Sequence, residues 1–222
     1  MSTMQLLDRI EKRRFVGREF LMWLWFESEI FDATLSTAKH GSFGCWIEGA
    51  FVLSAGKEVT RIKGSQPASA REAKESVLRG KLPESAGLHL SWGEREMSFS
   101  IKAETLAVAR LGLPTLLDKA DEPPPLLLDE KKGPPPKKSR TTAARQRSDE
   151  MDEQNARFQE RMDLATEFEG LVETLFQDFL HLRLGAAWGA LVLPAVNTWI
   201  RGEAVDADAY AARRKKALKS AG

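Results

Sequence analysis

Cationic side chains carry the clearest chemistry in this sequence, and they fall into three clusters. Arg9, Lys12, Arg13, Arg14 and Arg18 form the first, Lys137, Lys138, Arg140, Arg145 and Arg147 the second, and Arg213, Arg214, Lys215, Lys216 and Lys219 the third. Grouped cations neutralise phosphates and release condensed counterions, which gives salt-sensitive binding of nucleic acid without sequence preference. Charge runs also occur as plain solvated surface, so one cluster taken alone decides nothing. The second is the most pointed, because residues 131–147 hold seven Lys or Arg and no acid. That stretch has no aromatic residue on which unpaired bases would stack.

Other chemistries find little support. There are one cysteine and three histidines, at 40, 89 and 181, without the spacing of metal ligands. His89 falls on the outward side of a strand and His181 beside Arg183 at a helix end, so both read as surface or capping residues. Cys45, in a strand, reads as a small core residue rather than a nucleophile. No glycine loop of the phosphate-cradling kind occurs. Glu27 and Glu29 stand two apart, which points them to different sides of a helix and makes them a poor acid–base pair. The expectation is a protein with no catalytic, cofactor-binding or metal-binding residues. An enzyme would have to assemble its site from scattered polar groups.

The elements that position these residues follow from periodicity. A short basic helix is expected over 4–14, with Gly17 breaking or bending the chain after it. Residues 20–26, Phe-Leu-Met-Trp-Leu-Trp-Phe, then make a helix apolar on every side, which must be covered on more than one side and is too short to cross a bilayer. Gly41, Ser42 and Gly44 read as a loop. Residues 43–55 and 58–64 read as a hairpin turning at Gly56, with Cys45, Ile47, Phe51 and Leu53 on one face. Pro67 opens a helix that Gly80 ends, with a thin apolar stripe of Ala70, Ala73, Val77 and Leu78. A second hairpin sets Leu88, Leu90 and Trp92 against Met97, Phe99 and Ile101.

Six prolines within 121–136 mark an extended linker. A long helix over 149–183 carries Phe158, Met162, Ala165, Phe168, Leu171, Leu175 and Phe179 at helical spacing. A helix over 188–201 restarts at Pro194, and a last one over 206–220 has acids first and bases last, as the helix dipole favours. The fold class expected is α+β. Residues 1–117 form an antiparallel sheet of about four to five strands covered by helices, 118–150 a disordered, proline-rich basic linker, and 151–222 a helical part. Net charge is +1, and 42% hydrophobic against 29% charged residues suits a core built in water. The lone cysteine excludes an internal disulfide and fits a reducing compartment. With no signal peptide or membrane span in view, a cytoplasmic protein with no membrane partner is expected.

The segment Phe15-Val16-Gly17-Arg18-Glu19-Phe20-Leu21-Met22-Trp23-Leu24-Trp25-Phe26-Glu27-Ser28-Glu29 resembles a stretch found in divergent members of the RdgC recombination-associated family. Gly80-Lys81-Leu82 before a Leu-x-Leu strand fits the same resemblance. So do Leu111-Gly112-Leu113-Pro114 and Phe179-Leu180-His181-Leu182-Arg183-Leu184 followed by Trp188. What the resemblance implies is a non-catalytic, nucleoid-associated protein that binds duplex DNA of any sequence. Established members close a ring-shaped dimer around DNA and restrain RecA-driven strand exchange, so a homo-oligomer and a recombinase partner are implied too. The chain is shorter than the longer relatives and carries a proline-rich basic insert. The family's DNA contacts are spread over a basic surface, so the candidate DNA-binding residues come from charge clustering alone: Arg13, Arg14, Arg18, Lys137, Lys138, Arg140, Arg145, Arg147, Arg213, Arg214, Lys215 and Lys216. The alternative is an oligomeric protein-interaction module that ignores DNA, built on the aromatic helix and the stripe along 158–179.

Overall fold

The structure, a computed structural model, describes residues 3–112 and 140–219, with side chains over 16–112 and 155–219. Residues 1–112 and 170–222 make one compact unit and 113–169 a second. The first is α+β. Its helices are α1 (Thr3–Ile30), α2 (Arg71–Leu78), the C-terminal part of α3 (Arg140–Leu184), α4 (Leu193–Ile200) and α5 (Ala207–Lys219). Its strands are β1 (Thr34–Thr37), β2 (Gly41–Ala55), β3 (Glu58–Gly64), β4 (Leu82–Trp92), β5 (Arg95–Lys102) and β6 (Val108–Gly112).

All strand pairs are antiparallel, in the order β1-β2-β4-β5-β6. The long β2 pairs β4 along one edge, and along the other it pairs β1 with its first residues and β3 with its last. Both expected hairpins form. Ala55 faces Glu58 across the two-residue turn at Gly56-Lys57, and Trp92 faces Arg95 across Gly93-Glu94. Cys45, Ile47, Phe51, Leu53, Leu88, Leu90, Met97, Phe99 and Ile101 are buried, as their alternation requires.

The aromatic stretch of α1 is apolar all round because it lies between two layers. Trp25 packs edge-on against Phe51 of the sheet. On other sides Phe20 and Trp23 meet Phe179 of α3, Trp25 and Phe26 meet Trp199 of α4, and Phe26 meets Tyr210 of α5. Arg183 ties α3 to α1 by donating to Glu19. Glu29 locks three helices, accepting from Trp25 Nε1 and Trp199 Nε1 at 2.8 Å each and pairing with Lys74 of α2 at 2.8 Å. Among the described residues no single helix is long and apolar enough to cross a membrane.

Several expectations are corrected. Gly17 does not break the chain: α1 runs through it without interruption. A Cβ on Gly17 would sit 1.9 Å from the carbonyl oxygen of Ala103, so the residue is small to let the helix touch the chain after β5. Gly41, Ser42 and Gly44 belong to β2, and two short strands, Thr34–Thr37 and Val108–Gly112, join the two hairpins, so the sheet has six strands rather than four to five. Pro67 does not open α2. It is buried in an irregular segment where the Ser69 hydroxyl bonds the Gln66 carbonyl, and the helix begins at Arg71. Of its expected stripe only Ala73 is buried, joined by Ser76, while Leu78 is exposed.

The long helix starts at Arg140 rather than 149, in a stretch that follows the last proline of the linker and contains neither proline nor glycine. Phe158 and Met162, expected on its apolar stripe, are 60% and 48% exposed. The linker expected from 118 lies outside the described residues up to 139.

Candidate functional site

Helix α5 brings the third cationic cluster to the surface and divides it. Asp206 accepts the Ala209 amide at 2.9 Å and caps the helix start. Arg213, Lys215, Lys216 and Lys219 are exposed, and none forms an ion pair among the described residues. Arg214 points inward and is only 8% exposed. Its Nε lies 2.8 Å from Glu27 Oε1 and its guanidinium stands 5.6 Å from the centre of the Trp23 ring. This corrects the expectation that Arg214 meets DNA: its charge is taken by a carboxylate inside the protein. Arg18 is half-buried, with Nη2 donating to Ser54 Oγ at 3.2 Å, so it too faces the protein. Arg13 and Arg14 lie on α1, and Arg140, Arg145 and Arg147 on α3, with side chains outside the described set. Lys137 and Lys138 lie outside the described residues.

Glu27 is the residue that sequence reasoning missed. It follows the aromatic run on the same side of α1 as Phe20 and Trp23, and it is fully buried. Tyr210 donates its hydroxyl to Oε1 at 3.0 Å. Burial pushes the Glu27 carboxyl up to about 7, opposed by the Arg214 charge and by the Tyr210 hydrogen bond. Burial likewise raises Asp178, on the facing side of α3, and Tyr210. In this cluster Trp23 Nε1, Glu27 Oε2 and Arg214 Nε and Nη2 are buried without a hydrogen-bond partner among the described residues, although Arg214 Nε stands in the ion pair with Glu27. The available signal was a carboxylate at position 27, on the apolar helix face that carries Phe20 and Trp23. Its partners lie 183 or more residues later, which no local pattern reveals.

Beside this pair is a cavity of about 730 Å³, bordered by the end of α1, by β1, by α3 and by α5. Glu27, Asp178, His181, Arg214, Lys215 and Lys219 give it charge, Thr34, Ser36 and Thr37 give hydroxyls, and Phe31 and Leu218 give apolar wall. The chain enters β1 through Asp32 and Ala33, both at positive φ, which turns Thr34 and Ser36 towards this space. A buried acid that titrates near neutrality beside a fixed guanidinium can bind an anion or exchange a proton.

The other histidines are structural. His89 is not free on an outward face: it stacks on Trp46 at 4.3 Å and Nδ1 lies 2.9 Å from Glu48. His40 bonds Thr174 Oγ1 at 3.2 Å. Cys45 is buried, and burial pushes its thiol up to about 12, which suits a packing role. Among the described residues no group of three or more His, Cys, Asp or Glu is placed to hold a metal ion. Comparison with protein-family models, with curated proteins and with solved structures gave no match.

Proposed function

We propose that this chain binds duplex DNA without sequence preference and acts by binding alone, as a recombination-associated protein of the RdgC kind. The observation that carries the reading is the outward face of α5, where Arg213, Lys215, Lys216 and Lys219 stand exposed with no acid paired to them among the described residues. Cations on a rigid helix contact phosphates without reading bases. The aromatic segment 15–29 adds the family resemblance. In this reading an α+β part is followed by a proline-rich basic linker that ends where α3 begins at Arg140, and then by a helical C-terminal part. The expected setting is the cytoplasmic nucleoid, with a recombinase as partner and a homo-oligomer as the working form.

A mobility-shift titration tests it, using duplexes of unrelated sequence at two salt concentrations and comparing the full chain with one lacking 131–147. All duplexes should bind alike, less at the higher salt, and the shortened chain more weakly. Absence of binding by the full chain at low salt would end the proposal.

A second reading, an oligomeric interaction module indifferent to DNA, is favoured by the exposed Phe158 and Met162, four residues apart on α3. Light scattering with Phe158→Ser and Met162→Ser together separates the two. An oligomer that dissociates in the double variant and never shifts DNA supports the second reading.

A further inference from the structure

The geometry points to a second binding site: the cavity beside Glu27 takes a small phosphate monoester, whose phosphate is held by Arg214, Lys215 and Lys219 and whose apolar part lies against Phe31 and Leu218. A volume of about 730 Å³ falls in the range of small-molecule pockets. Arg214 is nine-tenths buried, borders the cavity and is held in place by its 2.8 Å ion pair with Glu27.

Charge decides the sign of the ligand. Three basic side chains line the space, against two carboxyls that burial makes easier to protonate. The groups facing it are Glu27 from α1, Asp178 and His181 from α3, and Arg214, Lys215 and Lys219 from α5, with the Tyr210 hydroxyl bonded to Glu27. β1 contributes only hydroxyls. The number of donors favours phosphate over carboxylate. A guanidinium, two ammonium groups and the hydroxyls of Thr34 and Ser36 match three oxygens and two charges better than two oxygens and one.

This site shares Lys215 and Lys219 with the proposed DNA face and differs from it in the other residues. On α5, residues 211, 214, 215, 218 and 219 line the cavity, whereas Arg213 and Lys216 do not.

Calorimetric titration of the full chain with phenyl phosphate, inorganic phosphate and benzoate tests the proposal. Phenyl phosphate should bind saturably and tightest of the three. Lys215→Ala with Lys219→Ala should weaken it roughly tenfold or more, the loss of one or two charge-assisted hydrogen bonds. Arg213→Ala with Lys216→Ala should leave it unchanged. Glu27→Gln, which keeps the shape and removes the competing carboxylate, should bind phenyl phosphate at least as tightly as the unsubstituted chain at alkaline pH. Three results would each overturn the assignment: no saturable binding of phenyl phosphate, benzoate binding as well as phenyl phosphate, or an equal loss in the two double variants.

Discussion

Glu27 is a carboxyl held where water does not reach, and its titration is therefore coupled to folding. Unfolded, it ionises at its ordinary 4.5; folded, at about 7. Between these values the folded chain keeps a proton that the unfolded chain has lost, so stability falls as pH rises through that window and levels off above it. The full span corresponds to roughly 3 kcal/mol. Urea midpoints measured from pH 4.5 to 7 should decline in the unsubstituted chain. Glu27→Gln should remove most of that decline, leaving a remainder from Asp178, which is shifted in the same direction. Tyr210→Phe deletes the 3.0 Å hydrogen bond to Glu27 and should cost about 1–2 kcal/mol in unfolding experiments. Because that bond lowers the Glu27 value, the declining window should also reach to higher pH.

At the scale of elements, two glycines in helices play opposite parts. Gly17→Ala drives a Cβ into the Ala103 carbonyl, which neither backbone can yield, and should destabilise by about 2–3 kcal/mol despite the better helix former. Gly170→Ala meets open space on α3 and should stabilise by about 0.5–1 kcal/mol. Thermal or urea unfolding of the two variants reads both effects.

The same contrast explains what was legible in the sequence. The β2–β3 and β4–β5 hairpins could be read because alternation and turn glycines are local signals, and so could the burial of 20–26, since an all-apolar helix admits no solvated side. Gly17 was misread because its reason lies at Ala103, and β1 was missed because Thr-Leu-Ser-Thr has too few residues to show a period. Arg214 was taken for surface because a run of bases hides which one turns inward. Glu27 was set aside for standing badly towards Glu29, when its true partners come from α5.

For the whole molecule, the near-zero net charge conceals its arrangement. The interior is closed by aromatic contacts among α1, α3, α4 and α5. The one buried guanidinium among the described residues is neutralised by Glu27, and the outward cations of α5 are left to solvent. A surface of that kind should hold a polyanion by counterion release, and salt is the variable that exposes it. The most direct measurement is the affinity of the full chain for one duplex across a series of salt concentrations, with and without Arg213→Ala and Lys216→Ala. The account predicts a logarithm of affinity falling linearly with the logarithm of salt, and a slope smaller by about two in the double variant. A flat response, or a slope that the double variant leaves unchanged, would contradict it.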